Sequence, residues 1–189
     1  MKITLLGDSI RMIGYGKKVV EMLGKDFEVF QPEENCRFAK YTLRGVMHEW
    51  EPFMKGSEII HWNNGLWDVC ELADDGPFTP YEVYEAEMLR VLRALKKHTN
   101  HIIFATTTPV LPSHERCANP LIEEYNAKIV PVLKANGVVI NDLHSAIYPK
   151  LNEYIRADDR IHLTEAGIDV CANLVTKAIL DEKAKIEAK

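Results

Sequence analysis

Five short apolar runs, separated by longer stretches with helical spacing, constrain the fold of this 189-residue chain more than any other feature. Each run holds four to six residues and is rich in Ile, Val or Phe, which is typical of strands buried on both faces. The expected strands are residues 2–6, 27–30, 58–62, 101–106 and 137–141. The runs therefore predict a sheet that is covered on both sides.

Helical periodicity fills the stretches between these strands. The expected helices are residues 13–23, 41–53, 80–97 and 120–135, followed by a last helix that begins after Thr164 as its N-cap. Asn136-Gly137 is a helix stop, and the charged tail, residues 181–189, is expected to fray. Alternating strands and helices with crossovers of this length indicate one α/β domain over residues 1–189. We expect a three-layer α/β/α sandwich with a five-stranded parallel sheet in the flavodoxin-like order 2-1-3-4-5.

Small, polar and ionisable residues follow the expected strands. They occupy residues 7–10, 32–37, 63–68, 106–109 and 157–163. In a parallel α/β sheet, ligands bind in the crevice beyond the carboxyl ends of the strands. These segments are therefore expected to meet at one edge of the sheet and to form a binding site there.

Ser9, Asp159 and His162 have the residue types of a nucleophile and its base. A serine hydroxyl is a weak nucleophile until a base removes its proton, and a histidine can do so near neutral pH. Asp159 stands three positions before His162, so that in a turn its carboxylate can reach back to orient the imidazole. The alternative is structural, because a strand-end serine is also a favoured helix cap. The distant Asp159–His162 pair favours the nucleophile.

A serine mechanism also needs donors for the developing oxyanion. The backbone N–H of Ser9 is a natural first donor. The loop near Cys36 and Arg37 supplies a second candidate through its backbone, and the side-chain amide of Asn63 or Asn64 supplies a third.

Two segments resemble the end blocks of the GDSL, or SGNH, hydrolases. Gly7-Asp8-Ser9-Ile10 is similar to the first block. Asp159-Arg160-Ile161-His162 resembles the last block, in which two residues separate the aspartate from the histidine. The order of strands and helices is also similar along nearly the whole chain. The resemblance implies a serine esterase or acylhydrolase that uses no metal or organic cofactor. It also implies a short acyl ester, such as an O-acetylated sugar, as the substrate.

The two middle blocks depart from the family pattern. The second block usually offers a glycine as an oxyanion donor, and here the region reads Glu34-Asn35-Cys36-Arg37. The third usually reads Gly-x-Asn-Asp, whereas Gly65-Leu66-Trp67-Asp68 has tryptophan in place of the asparagine. Gly65 keeps its place as a substrate-binding candidate, and Asn63 and Asn64, just upstream, are candidates to replace the missing side chain.

Several other residues have open interpretations. Asp8 is expected to fix the turn through bonds to the backbone. Trp62 is expected to pack in the core, whereas Trp67 is a candidate wall of the binding site. Arg11 is a candidate partner for an anionic substrate group or, alternatively, for Asp68 or Glu34.

Two alternative functions remain open. A metal-dependent phosphohydrolase would hold Mg²⁺ or Mn²⁺ with Asp8, Asp68, Asp159 and His162. A non-catalytic protein would bind a small ligand in the same crevice, and the missing asparagine of the third block favours that alternative.

Composition excludes some functions and suggests a compartment. The net charge is −5, whereas a nucleic-acid binder usually carries a basic face. No apolar stretch approaches the ~20 residues of a membrane span, and the N-terminal run is too short for a signal-peptide core. The cysteines have neither CxxC nor zinc spacing and are expected as scattered thiols of a reducing compartment. They are Cys36, Cys70, Cys117 and Cys171. We therefore expect a cytoplasmic protein that binds neither nucleic acid nor membrane.

Overall fold

A five-stranded parallel sheet forms the middle layer of the structure, a computed structural model that describes residues 1–188. The strands are β1 Lys2–Leu6, β2 Glu28–Phe30, β3 Ile59–Trp62, β4 Ile102–Ala105 and β5 Val139–Asn141. Their order is β2-β1-β3-β4-β5, and every neighbouring pair is parallel. The predicted sheet and its order are confirmed.

The three middle strands are buried on both faces. Leu6 pairs with Trp62 and Trp62 pairs with Phe104, so that an apolar row runs across β1, β3 and β4. All residues of β3 and β4 are buried. Helices cover both faces of the sheet, which explains why these strands are continuous apolar runs rather than alternating ones.

The helices form the two outer layers. They are α1 Gly16–Leu23, α2 Ala39–Met47, α3 Glu51–Met54, α4 Leu66–Val69, α5 Tyr81–Leu95, α6 Asn119–Ala135, α7 Leu143–Ile147, α8 Leu151–Tyr154 and α9 Glu165–Glu187, with 3₁₀ turns at Gly24–Asp26 and Tyr148–Lys150. Helix α1 packs against α9, and α5 packs against α2 and α6. Within residues 1–188, no helix has the length and hydrophobicity needed to cross a membrane.

Two predicted helices have different bounds in the structure. The helix expected over residues 13–23 begins at Gly16, and the helical segment before it, Ile10–Tyr15, is kinked at Gly14, whose backbone is non-helical. The helix expected over residues 41–53 is divided into α2 and α3. The Trp50 N–H donates back to Gly45 O at 2.8 Å, and Pro52 lies in the first turn of α3. Proline lacks the N–H that a continuous helix would need at this position but is tolerated in the first turn, so a new helix begins there.

Helix α9 continues through the tail that was expected to fray. Its Thr164 cap is confirmed, since Thr164 Oγ1 accepts the Gly167 N–H at 3.2 Å. Near its far end, the buried Glu182 carboxylate lies 3.0 Å from the Nδ1 atom of His101, before strand β4. This tertiary contact anchors a segment whose charged composition suggested solvent exposure.

The cysteines are not four separate thiols. A disulfide joins Cys70 and Cys117, which are 47 residues apart, whereas Cys36 and Cys171 are buried thiols. The expectation of scattered thiols is therefore wrong for one pair. The sequence spacing of this pair matches no local motif, because the two sulfurs meet only when two separate loops pack together.

Candidate active site

The turn after β1 presents Ser9 at the carboxyl edge of the sheet. Asp8 Oδ1 accepts the Ile10 N–H at 2.9 Å, so the expected structural role of Asp8 is confirmed. The Gly7 N–H donates to Cys36 Sγ at 3.2 Å, and a Cβ at Gly7 would collide with the side-chain oxygen of Asn63. Glycine at this position lets the Asn63 side chain approach the turn.

The structure brings Ser9, His162 and Asp159 together. Ser9 Oγ lies 2.8 Å from His162 Nε2, and His162 Nδ1 lies 3.0 Å from Asp159 Oδ2. The imidazole and carboxylate side chains are about one quarter and one third exposed. The three groups thus form a continuous hydrogen-bonded chain that a substrate can reach.

The loop between α8 and α9 holds this carboxylate in place. Asp159 Oδ1 accepts the backbone N–H groups of Ile161 at 3.1 Å and His162 at 2.9 Å. An isolated bridge between Ile155 and Leu163 closes the base of the loop. Burial by itself would raise the pKa of Asp159, but these N–H groups and the imidazole lower it to about 2. The carboxylate is therefore ionised at neutral pH.

The guanidinium of Arg11 is buried beneath the nucleophile turn. It donates to three backbone carbonyls, those of Pro32 at 2.7 Å, Glu34 at 2.9 Å and Gly7 at 3.1 Å. Arg11 therefore joins the β2–α2 loop to the turn and is not placed to receive a substrate anion. Sequence reasoning missed this role, because backbone carbonyls leave no signal in the residue types of their loop.

Both expected backbone donors of the second block are engaged within the chain. The Cys36 N–H donates to Gly7 O at 3.1 Å, and the Arg37 N–H donates to Asn35 Oδ1 at 2.7 Å. Arg37 has φ +52°, in the left-handed region that favours glycine, the residue this block usually offers. Neither N–H is available to a substrate oxygen in this conformation.

The two candidate asparagines differ in their partners. Asn64 Nδ2 donates to Arg37 O at 2.8 Å, while its Oδ1 accepts the Trp62 indole N–H at 2.6 Å. Its amide is thus used to join two loops. Asn63 Oδ1 accepts the Tyr15 hydroxyl at 3.1 Å. The Asn63 side chain also lies against the buried Asp8 carboxylate, where its hydrogen bond opposes the rise in the Asp8 pKa that burial causes. The Ser9 N–H has no hydrogen-bond partner within residues 1–188 and is available to a substrate oxygen.

The third block is structural at Gly65 and Asp68. Gly65 has φ +140°, and a Cβ there would collide with Thr107 Oγ1. Asp68 is fully buried, and its two oxygens lie 3.2 and 3.3 Å from the Ala39 N–H at the start of α2. Burial raises the pKa of Asp68 to about 7. This side chain supports the loop that precedes α2 and does not reach the triad.

The side chains that the metal-dependent alternative requires do not converge. Within residues 1–188, no group of three or more His, Cys, Asp or Glu side chains is arranged to hold a metal ion. Asp68 is bonded to the start of α2, while Asp159 is bonded to His162. The set proposed for a phosphohydrolase is therefore not assembled.

An apolar pocket of about 200 Å³ adjoins Ser9 and His162. Its remaining lining is Leu66, Trp67, Cys70, Leu72, His114, Arg116 and Ile161. Trp67 is half-buried and forms part of the wall, whereas Trp62 is fully buried in the core, as expected for each. The volume is below the ~300–1,000 Å³ typical of pockets for drug-sized ligands. The pocket therefore suits a small apolar group.

Comparisons with known proteins agree with this architecture. A lipase/acylhydrolase from Enterococcus faecalis superposes with a TM-score of 0.77 at 19% identity, over 94% of each chain. The acetyl xylan esterase AlAXEase gives 0.78 at 18%, over 95% of this chain and 100% of its own. A GDSL-like lipase from Bacteroides thetaiotaomicron gives 0.73 at 16%, over 95% and 88%. The sequence matches no family model and no curated protein. The chain therefore has the fold of the GDSL, or SGNH, hydrolases.

Proposed function

We propose that this protein is a serine esterase that hydrolyses short acyl esters through an acyl-enzyme on Ser9. The observation that carries the proposal is the continuous chain from Ser9 Oγ to His162 and Asp159, at 2.8 and 3.0 Å. It lies at the sheet edge where ligands bind in this class of fold. The similar solved structures include lipases and esterases, which supports the same chemistry.

In the first half of the reaction, Ser9 Oγ attacks the ester carbonyl. Its proton passes to His162 Nε2, and the ionised Asp159 stabilises the imidazolium that forms. The carbonyl oxygen becomes an oxyanion, which the Ser9 N–H and the Asn63 amide stabilise. The tetrahedral intermediate then collapses, the C–O bond to the alcohol breaks, and His162 returns the proton to the leaving oxygen.

In the second half, water replaces the alcohol. His162 removes a proton from the water, the hydroxide attacks the acyl carbonyl, and Ser9 leaves with the proton returned to its oxygen. The acyl chain lies in the apolar pocket beside Ser9, whose volume of about 200 Å³ suits short acyl groups. Acetyl xylan esterases among the similar structures make an acetylated carbohydrate the leading substrate class.

Covalent labelling over a range of pH tests the proposal. A fluorophosphonate should modify Ser9, with a rate that rises across the neutral pH range as the general base loses its proton. Asp159 does not contribute to this rise in the labelling rate, because its pKa of about 2 keeps the carboxylate ionised across the neutral pH range. The labelled peptide is identified by mass spectrometry.

Asp68 provides the control for this profile, because its pKa is about 7 and it could titrate in the same range. The Asp68→Asn variant keeps an acceptor for the Ala39 N–H but cannot ionise. The rise in labelling should persist in this variant. Labelling at another residue, or a flat rate between pH 5 and 8 in folded protein, would contradict a histidine-activated Ser9.

Asn63→Ala should lower kcat by about 10²–10³-fold, the usual effect of losing one oxyanion donor. The side chain also accepts the Tyr15 hydroxyl at 3.1 Å, so Tyr15→Phe is the matched control. That variant removes the same internal hydrogen bond but keeps the Asn63 amide. Steady-state hydrolysis of p-nitrophenyl acetate measures both. Equal losses in the two variants would show that Asn63 acts only through packing.

A further inference from the structure

The Cys70–Cys117 disulfide is part of the wall of the pocket beside Ser9. Cys70 lines the pocket, and Leu72, two residues later, contributes an apolar side chain. The segment before Cys117 contributes His114 and Arg116. Both cysteines are buried, at 7% and 3% exposure. The bond therefore joins the two irregular segments that close this side of the pocket.

Each segment is held internally by its own hydrogen bonds. His114 Nδ1 accepts the N–H groups of Arg116 at 3.2 Å and Cys117 at 3.0 Å. Burial lowers the pKa of His114, which favours the neutral imidazole that this acceptor role needs. On the other side, Cys70 O accepts the Phe78 N–H at 2.9 Å and closes the loop that contains Leu72. Each segment is therefore ordered without help from the other.

The two segments have few bonds to each other. Two bonds join residues 70–72 to residues 114–117. One is the disulfide, and the other is a hydrogen bond from the Glu71 N–H to Arg116 O at 2.8 Å. A single solvent-accessible backbone hydrogen bond contributes only about 0.5–1.5 kcal/mol. The disulfide is therefore the stronger of the two bonds that join these segments across this side of the pocket.

We propose that the Cys70–Cys117 disulfide sets the length of acyl chain that the pocket accepts. With the bond formed, the pocket of about 200 Å³ admits short acyl groups. A dithiol that supplies two electrons and two protons converts the bond to two thiols and itself closes to a disulfide. The Leu72 and Arg116 segments can then separate, and longer acyl chains enter. This inference rests on the proposed esterase function.

The test compares p-nitrophenyl acetate with p-nitrophenyl octanoate. Values of kcat/KM are measured for the oxidised protein, for protein treated with dithiothreitol, and for the C70S/C117S double variant. We expect the octanoate-to-acetate ratio to rise at least about tenfold in both modified forms, since a few methylene groups in an apolar pocket change kcat/KM by this much or more. Dithiothreitol should cause no further change in the double variant.

Thiol alkylation of the denatured, unreduced protein checks the starting state. Only Cys36 and Cys171 should react, and four reactive thiols would overturn the proposal. An unchanged ratio after reduction, with acetate hydrolysis intact, would also overturn it, even if the double variant failed to fold. If the oxidised wild type did not hydrolyse p-nitrophenyl acetate at all, this result would instead contradict the proposed esterase function.

Discussion

Ser9→Ala should lower kcat for p-nitrophenyl acetate by about 10⁴–10⁶-fold, because removal of a serine nucleophile eliminates the acyl-enzyme route. The oxyanion donors remain, so a small residual rate above that of water is expected. Ser9 Oγ bonds only to His162 Nε2 among residues 1–188, at 2.8 Å. The variant should therefore fold as the wild type does, and its loss of activity should have a chemical cause. Steady-state hydrolysis assays measure kcat, and urea unfolding separately measures the stability of the variant.

Ser145→Ala is the matched control for Ser9→Ala. Ser145 also lies near a histidine and an aspartate, but its hydroxyl donates directly to Asp142 Oδ2 at 2.7 Å, and His144 makes no bond to it. No base can therefore remove its proton as His162 can for Ser9. Activity should be unchanged in this variant. A Ser9→Ala protein that keeps more than about 1% of wild-type kcat would refute the serine mechanism and favour another nucleophile.

Arg11→Met should destabilise the protein by about 2–6 kcal/mol, because the variant leaves two backbone carbonyls without their donor. Methionine preserves much of the apolar stem but donates no hydrogen bonds. The carbonyls of Pro32 and Glu34 would lose their donor, at a cost of about 1–3 kcal/mol for each that stays buried and unpaired, whereas Gly7 O would keep the Cys36 N–H. The midpoint of urea unfolding measures the loss. Activity should also fall, because Arg11 joins the β2–α2 loop to the nucleophile turn.

Arg93→Met tests whether the effect belongs to the site of Arg11 rather than to the loss of an arginine. Arg93 lies on the exposed face of α5, and the structure gives its guanidinium no hydrogen bond or ion pair within residues 1–188. This variant should change stability by no more than about 0.5 kcal/mol. Equal effects at the two positions would mean that the carbonyl contacts of Arg11 contribute little.

The layout of the sheet was predictable from local patterns. Apolar runs such as residues 102–105 identify strands buried on both faces, and each strand was found within two residues of its expected bounds. Local patterns were less informative where a distant group decides the outcome. The charged tail is helical because Glu182 reaches His101, a residue that lies 81 positions earlier.

Composition likewise could not identify the disulfide. Cys70 and Cys117 have no characteristic spacing, and their contact follows from the packing of the α4–α5 loop against the β4–α6 loop. The same packing places Leu72 in the pocket, and the α8–α9 loop contributes Ile161. Neither residue type is distinctive in a loop, because leucine and isoleucine are common wherever apolar surface is buried.

The sequence by itself determined the sheet order and the three residues of the candidate triad, because apolar periodicity and short-range spacing are local properties. Asp159 and His162 lie three positions apart, so one turn is enough to place the carboxylate against the imidazole. Only the tertiary structure decided which candidate oxyanion donors are engaged within the chain. Cys36, Arg37, Asn63 and Asn64 all carry suitable donors, and their engagement depends on which acceptors the fold brings to them. Cys36, Arg37 and Asn64 donate to acceptors in the β1 turn and the β2–α2 loop, whereas the Asn63 side chain meets the Asp8 carboxylate, one residue before Ser9.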